Sequence, residues 1–326
     1  MAIVTNTVTT YLPKNIREDL SDVIYNISPT DVPFMSNAGR GKAKNTYFEW
    51  QVDELAATGA NAQLDGDDVS TTTDARAATT RVGNYTQISR KLVSVSGSTE
   101  AVDKAGMKGM MAYELAKASS ELKRDMEAIL VGDQIAAAGS TTVARKTAAI
   151  GGWLITNASV GAGAGAVPVM SSGGSLLSGY PATIAVAGTA RAFTSTLLKT
   201  TAQNVWAQGG DLKMVMVGPT QKVVFSGFTG IATLYRETPA GKQAQIIGAA
   251  DVFLTDFGEL TVVPNRFQAN TSAIFVNPEL VAVNYLRNFQ TIALAKTGDA
   301  EKRMLIVEYG LQVRAQKGLG IIRDLT

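Results

Sequence analysis

The sequence contains no cysteine and no histidine among its 326 residues. The absence of cysteine excludes disulfides, thiolate nucleophiles and zinc–sulfur sites. The absence of histidine removes the side chain most used for acid–base catalysis and a common metal ligand. Carboxylates, lysine, serine and tyrosine remain available for chemistry. The loss of both residue types from a chain of this length nevertheless argues against an enzyme.

Long apolar runs and a strong net charge are missing as well. No apolar run approaches the roughly 20 residues that a membrane-spanning helix needs, and the N-terminus lacks the pattern of a secretory signal. The net charge is only +2, so contact with nucleic acid would be local rather than spread over a whole face. The proportions of apolar (45%) and charged (18%) residues are those of a folded globular chain. We therefore expect no membrane contact.

Three glycine-rich or acidic motifs resemble ligand-binding loops only in part. Gly39–Lys44 (GRGKAK) has alanine where a phosphate loop needs Ser or Thr, so we interpret it as a solvated basic turn. Residues 161–166 (GAGAGA) have the glycine spacing of a dinucleotide fingerprint, but a proline interrupts the helix that should follow. Asp65–Asp68 lacks further oxygen ligands for calcium. We predict no catalytic residue, no cofactor and no metal site.

The longest periodic pattern predicts a helix over residues 107–132. Its apolar or small residues recur every three or four positions and form one stripe, comprising Met111, Leu115, Ala118, Leu122, Met126 and Ile129. The other side is predicted to be a charged surface made of Glu114, Lys117, Glu121, Lys123, Arg124 and Glu127. Because Gly132 follows the last apolar position, we expect the helix to end there.

The N-terminal residues 1–38 predict an extended arm. Within it, Lys14–Asn26 has the apolar spacing of one short helix, and prolines on both sides prevent that helix from continuing. The arm is too short to form a core of its own. It either straps its own domain or lies across a neighbouring subunit.

Residues 39–97 predict a long β-hairpin. The period changes to two after Asn45, with one apolar face made of Phe48, Trp50 and Val52. A return strand is predicted over Thr80–Val95, and the polar stretch Ala56–Ala78 would form the tip. An isolated hairpin is marginal in water, so we expect this one to lie on something else.

The remaining chain predicts mixed helix and strand. Residues 136–190 are rich in Gly, Ala, Ser and Thr, with a β-like piece at Trp153–Thr156, and a helix follows over residues 191–208. The strand Lys213–Val217 leads through a turn into a helix at Gln221–Phe228 capped by Thr220, an α/β unit. Further strands are predicted at Asp251–Thr255, Glu259–Val263, Ala273–Val276, Val281–Leu286, Gln290–Ala295, Arg303–Gln316 and Gly320–Arg323.

The order of these elements resembles the major capsid proteins of tailed bacteriophages with the Hong Kong 97-type fold. Several phrases carry the resemblance: LSDVIYNISPTDVPF at 20–34, TYFEWQ at 46–51, GGWL at 151–154, the helix at 191–208 and VGPT at 217–220. The resemblance covers most of the chain and implies an α+β fold.

The resemblance also implies a domain division and a function. Residues 1–38 would be the N-terminal arm and 39–97 the extended loop. Residues 98–190 would form the peripheral domain with the spine helix at 107–132, 191–285 the axial domain, and 286–326 a return to the peripheral domain. In this family, subunits form hexamers and pentamers that tile an icosahedral shell around double-stranded DNA. Portal and decoration proteins would be further partners, and assembly would take place in the host cytoplasm. We expect no cleaved scaffolding segment.

We expect contacts between subunits from the arm, the extended loop and the charged side of the long helix. The candidates are Phe34, Arg40, Lys42, Lys44, Trp50, Asp65, Asp67, Asp68, Lys117, Glu121 and Arg124. Two other functions remain open from the sequence. One is another phage structural protein, of the tail tube or decoration type, which the long helix argues against. The other is a histidine-free hydrolase that uses carboxylates.

Overall fold

The computed structural model describes most of the chain after the first thirty residues. The described residues are 31–60, 62, 65, 78–103, 106–163, 165–172, 178–228, 251–296 and 298–326. The helix predicted at Lys14–Asn26 lies outside them. Their helices are α1 (Pro33–Asn37), α2 (Gly97–Ala101), α3 (Met110–Val131), α4 (Ile150–Trp153), α5 (Ser195–Ala207) and α6 (Pro219–Ser226). Their strands are β1 (Gly39–Lys42), β2 (Tyr47–Val52), β3 (Thr80–Tyr85), β4 (Gln87–Ser96), β5 (Ala158–Ser159), β6 (Met214–Val217), β7 (Val252–Thr255), β8 (Gly258–Pro264), β9 (Ala273–Val276), β10 (Val281–Ala293), β11 (Ala300–Val313) and β12 (Gly320–Ile322).

One sheet has four strands in the order β1-β10-β11-β4. Strand β1 runs parallel to β10, and the other neighbours are antiparallel. The two strands predicted at Val281–Leu286 and Gln290–Ala295 form the single strand β10, whose register with β11 shifts between Tyr285 and Gln290. The irregularity explains the apparent break in the sequence pattern, since a bulge interrupts alternation without ending a strand.

Helix α3 lies along this sheet and confirms the predicted long helix, which begins three residues later than expected. Val93 and Val95 of β4 form a buried cluster with Met111 and Ala118. Further along α3 the stripe continues into the main core through Leu122, Met126 and Leu130. At the start of the helix the Glu100 carboxylate accepts the N–H of Met110 at 3.1 Å. That contact satisfies one of the N–H groups that a helix start leaves without an intrahelical partner.

The charged side of α3 is narrower than predicted, because Glu127 is fully buried. Leu130 and Val131 are buried beside it, while Ile129 is only half-buried. The last turns of α3 are covered on a second side by α1 and by the segment after β8, which both reach Glu127. The prediction of an exposed Glu127 is therefore wrong, since these covering elements come from distant parts of the chain.

Among the described residues, the predicted hairpin is paired only at its root. Strands β2 and β3 pair antiparallel from Tyr47↔Tyr85 to Val52↔Thr80. The chain then leaves the hairpin at the buried Thr86, and β4 pairs with β11 instead. The single return strand predicted over Thr80–Val95 is therefore two strands in two sheets. Pairing of the second half with the long strand β11 is more favourable than extending the hairpin.

The apolar face of β2 confirms the predicted alternation and packs on the subunit itself. Phe48 stacks on Trp50 with ring centroids 5.8 Å apart, and Trp50 contacts Trp153 at 5.3 Å. Strand β11 approaches so closely that a Cβ at Gly310 would lie 2.6 Å from the Phe48 ring. Any larger residue at position 310 would force the Phe48 ring to move.

The interpretation of Gly39–Lys44 as a solvated turn is wrong. Gly39–Lys42 is strand β1 at the edge of the four-stranded sheet, paired with β10 from Gly39↔Ala282 to Lys42↔Tyr285. Ala43 is buried, and its N–H donates to the carbonyl of Tyr285 at 3.0 Å. A short basic segment becomes a strand here because a much later strand supplies its hydrogen bonds.

The second sheet has six strands in the order β5-β12-β9-β6-β8-β7. A separate buried cluster supports it, with Leu198 and Val205 of α5, Phe225 of α6 and Phe275 of β9 among its members. The predicted α/β unit is confirmed, but its helix begins at Pro219 with Gly218 as N-cap rather than at a Thr220 cap. Proline suits the first helical position because its missing N–H would have no partner there.

The Gly/Ala-rich middle of the chain contributes core rather than a β-like piece at Trp153–Thr156. Helix α4 occupies Ile150–Trp153, and both of its end residues are buried. The predicted boundary at 285/286 falls inside β10, and β12 from the predicted return segment lies in the six-stranded sheet. The division into domains stays a prediction.

Candidate assembly surfaces

A row of basic side chains lies on and around the edge strand β1. We define the basic edge as five side chains, Arg40, Lys42, Lys44, Lys123 and Arg314. They line two grooves that flank β1, of about 760 and 660 Å³. Among the described residues of both grooves the one carboxylate is Glu49, which pairs with Arg81. Within the described part of the chain none of the five has a carboxylate partner within 4 Å.

The segment between β2 and β3 has the opposite charge. Residues 53–78 contain six carboxylates and one arginine, a net charge of −5 in a chain of net charge +2. Residues 53–60 are all exposed, and Leu55 is 98% exposed. One ion pair holds the start of this segment, between Glu54 and Lys317 at 2.5 Å. Asp65 is exposed, and Asp67 and Asp68 lie outside the described residues.

Two of the predicted contact residues are occupied inside the subunit. Phe34 is 1% exposed and belongs to the main core cluster, so its side chain is not available to a neighbour in this structure. Its prediction as a contact is corrected, because α1 folds back onto α3. Trp50 is half-buried against Trp153, and its indole N–H donates to the carbonyl of Val313 at 3.0 Å.

The three predicted contacts on α3 differ from one another. Lys117 is exposed and has no ion pair in the described ranges. Glu121 lies 3.9 Å from Lys91, which itself pairs with Asp125 of α3 at 2.8 Å. The guanidinium of Arg124 is half-buried over the Phe267 ring, 5.7 Å from its centroid. Lys117 is therefore the one of the three that this subunit leaves free in its described part.

A junction around Glu127 ties the arm to α3 and to the end of β8. One carboxylate oxygen accepts the N–H of Phe34 at 2.7 Å and the side-chain amide of Asn265 at 2.7 Å. The other accepts the N–H of Met35 at 2.9 Å. Burial raises the pKa of this carboxyl, and the three hydrogen bonds oppose the rise.

A second buried junction fixes the root of the hairpin. Glu308 of β11 lies between Arg145, which donates to its Oε1, and Arg287, whose Nε donates to its Oε2 at 2.8 Å. The Thr86 hydroxyl donates to the same Oε1 at 2.9 Å, and Arg145 Nε donates to the Thr86 carbonyl at 2.7 Å. The point where the chain leaves the hairpin is therefore held by charge-assisted hydrogen bonds.

Asn84 completes this root and is also fully buried. Its amide donates to the carbonyls of Leu311 at 2.7 Å and Ala148 at 3.3 Å. Its carbonyl oxygen accepts the N–H groups of Ala148 at 2.8 Å and Tyr85 at 2.9 Å. One side chain thus joins β3, β11 and the segment before α4. This geometry fixes the root of the hairpin to the rest of the subunit.

Comparison with known proteins identifies the family to which this chain is similar. The family described as SU10 major capsid protein matches residues 3–326, nearly the whole chain. The chain belongs to the SU10 major capsid protein family. A curated relative, the major capsid protein of Escherichia phage Phieco32, is 26% identical over 91% of this chain and 90% of its own length.

Solved capsid structures share the fold of this chain. The Cyanophage A-1(L) capsid asymmetric unit aligns with a TM-score of 0.70 at 12% identity, over 98% of this chain and 100% of its own. The capsid of the native GTA particle aligns with a TM-score of 0.61 at 11% identity, over 97% of each chain. The α+β fold is therefore of the Hong Kong 97 type, and the sequence resemblance to phage major capsid proteins is confirmed.

The family membership makes this chain a structural protein of a phage capsid. In the part of the chain that the structure describes, no group of three or more acidic side chains is placed to hold a metal ion. No described helix has the length and apolarity to cross a bilayer.

Sequence reasoning missed Glu127, Glu308, Asn84 and Arg145. A weak signal existed for Glu127, because Met126, Leu130 and Val131 surround it on the helix and extend the apolar stripe. Glu308 follows the apolar run that ends at Val307, which also favours burial. No local pattern distinguishes Asn84 or Arg145 from surface residues.

Proposed function

We propose that the chain assembles through hexamers and pentamers into a closed icosahedral shell that encloses the phage genome. The shell forms in the host cytoplasm and becomes part of the virion. Its role is structural rather than catalytic. Portal and decoration proteins are further partners, and packaged double-stranded DNA meets the inner face without sequence preference. We infer that residues 98–190 and 286–326 contribute mainly to a peripheral domain and 191–285 mainly to an axial domain, with β10 crossing the boundary and β12 lying in the six-stranded sheet.

The separation of charge between the hairpin and the basic edge supports this proposal. Residues 53–60 are all exposed, and they include the apolar Leu55. An isolated subunit therefore gains no burial of apolar surface by extending this stretch away from its core. We infer that the acidic segment, including Asp65, Asp67 and Asp68, lies on the basic edge of a neighbouring copy. Opposite charges on two surfaces of one chain steer copies together and disfavour other orientations.

The symmetry of a closed shell suits such a pair of surfaces. A head-to-tail contact generates a ring when its rotation closes, so one acidic segment and one basic edge per subunit serve every member of the ring. Obligate interfaces bury on the order of 2,000–5,000 Å². The arm and the hairpin extend the contact area beyond the nearest edges, and Lys117 on α3 is available to the same neighbour.

Electron microscopy of the purified protein tests assembly directly. Closed shells or flat hexamers are expected, whereas tubes would favour a tail-tube protein and a monodisperse monomer would contradict assembly. Deleting residues 1–30, or shortening 56–78, is expected to block particles while circular dichroism reports a folded subunit. Normal shells from both deletions would refute the role of these segments.

A charge exchange tests the contact between hairpin and basic edge. The double variant Arg40→Glu/Lys42→Glu is expected to prevent shells, and so is Asp65→Lys/Asp67→Lys. Combining all four substitutions is expected to restore particles in part, because the attraction is re-established with reversed signs. The control is Lys199→Glu, an exposed charge on α5 that belongs to neither surface. Absence of any rescue would argue against direct contact.

A further inference from the structure

The first described residues of the arm are held by two different contacts. The Phe34 side chain is buried in the main core. The backbone N–H groups of Phe34 and Met35 donate to the two oxygens of Glu127, at 2.7 and 2.9 Å. The first contact fixes where the chain sits, and the second fixes the direction of its backbone.

The surroundings of Glu127 select a carboxylate over an amide. All three of its hydrogen-bond partners are N–H donors, two from the backbone and one from Asn265. A glutamine would place its NH₂ group against one of these donors in either orientation. Asn265 cannot turn to compensate without losing a bond, because its own carbonyl oxygen accepts the N–H of Phe267 at 2.9 Å.

A buried carboxylate is an unfavourable choice if packing alone is needed. Leu122, Met126 and Leu130 occupy neighbouring buried positions of this helix, and a residue of that type would fill the site without the cost of desolvating a charge. The contact it makes is with the backbone, which no apolar side chain can replace. Its effect is to hold a main-chain direction rather than to fill space.

We propose that Glu127 is a positioning residue for shell assembly, which sets the point and direction from which the arm leaves the subunit. It couples that direction to α3 and, through Asn265, to the end of β8. The inference rests on the proposed contact between residues 1–30 and a neighbouring subunit. Without the hydrogen bonds from Phe34 and Met35 to Glu127, which we call the anchor, the arm is still present but leaves the subunit in a different direction.

Hydrogen exchange on the unassembled subunit tests the anchor without reference to shells. In Glu127→Gln, exchange at the amides of Phe34 and Met35 is expected to rise at least tenfold, with amides around Leu122 unchanged. Glu114→Gln is the matched control, because Glu114 lies on the same helix and has no bonded partner among the described residues. Glu127→Asp keeps the charge on a shorter side chain and is expected to restore part of the protection. Unchanged exchange in Glu127→Gln would overturn the proposal.

Assembly of the same variants provides the second measurement. Glu127→Gln is expected to lower the yield of closed shells at least tenfold, while Glu114→Gln assembles normally. Faster exchange together with a normal shell yield would overturn the role of Glu127 in assembly. Normal assembly after deletion of residues 1–30 would instead remove the proposed role of the arm, so the two failures are distinguishable.

A milder variant serves if Glu127→Gln does not fold. Asn265→Ala removes one donor and leaves both backbone bonds to the carboxylate. Exchange at Phe34 is expected to rise about threefold, with a smaller loss of shells. No change in either measurement would contradict the coupling of the arm to the end of β8.

Discussion

Replacing Phe34 by alanine separates two roles for this side chain. If Phe34 contacted a neighbour, the variant would leave the isolated subunit as stable as before and weaken only assembly. The structure instead buries the ring in the subunit's own core, with 1% of the residue exposed. We therefore expect the free energy of unfolding of the isolated subunit to fall.

The magnitude follows from removing a large buried side chain. Replacing a buried phenylalanine by alanine costs about 3–5 kcal/mol, because apolar contacts are lost and a cavity remains. With a urea dependence on the order of 3 kcal/mol per molar, the unfolding midpoint should fall by about 1–1.7 M. Trp206→Ala is the matched control, since Trp206 is 59% exposed and its removal should cost about 1 kcal/mol or less.

The assay is urea unfolding of unassembled subunits, followed by circular dichroism and by tryptophan fluorescence in the Phe34 variant. A midpoint shift below about 0.3 M for Phe34→Ala, which corresponds to about 1 kcal/mol at this urea dependence, would refute the assignment of Phe34 to the core. Loss of assembly without loss of stability would return Phe34 to the set of inter-subunit contacts.

Three further predictions concern the buried polar groups. Asn84→Ala leaves several buried backbone groups without partners and should cost about 3–5 kcal/mol of unfolding free energy, measured by urea unfolding; a cost below about 1 kcal/mol would contradict the role of this side chain. Arg145→Ala removes one of the partners of the buried Glu308 and should cost about 2–4 kcal/mol, whereas Arg81→Ala, which breaks a surface pair, should cost less than about 1 kcal/mol; equal costs would argue against the junction. Because folding raises the pKa of Glu127, the protonation-linked part of its contribution to stability is fully present below its ordinary value of 4.5 and is lost as the pH rises through the folded-state value, while the hydrogen bonds to the ionised carboxylate remain. The unfolding free energy of the parent protein minus that of Glu127→Gln should therefore decrease between pH 4.5 and neutral pH, and a constant or increasing difference would contradict the assignment.

Local sequence predicted the elements whose signals are local. The alternation of Phe48, Trp50 and Val52 specifies a strand with one apolar face, and the apolar spacing from Met111 to Met126 specifies a helix. Both are confirmed, because each pattern requires only that one side of the element face a core. The continuous apolar run Met214–Val217 specifies a short strand that is buried on both faces, and this strand is confirmed as well.

Elements that depend on a distant partner were predicted less well. Gly39–Lys42 becomes a strand only because Ala282–Tyr285 offers it a parallel edge. The return strand after Thr80 divides at Thr86 because β11 competes for its second half. The local sequence around Gly39 or Thr80 does not reveal that Ala282–Tyr285 or β11 will be the pairing partner. Strand pairing is decided between segments that lie far apart in the chain.

The sequence by itself determined the class of this protein. The order of arm, hairpin, long helix and strands, with several local phrases, resembles phage major capsid proteins, and the absence of cysteine and histidine argues only against an enzyme. Only the tertiary structure decided which charged residues face outward. Lys117 and Arg40 are free in the described part of the subunit, whereas Glu127 and Glu308 are buried among donors from remote segments. The local sequence around a charged side chain does not distinguish an exposed position from a buried one. The partners that stabilise a buried charge come from distant segments and meet it only when the chain folds.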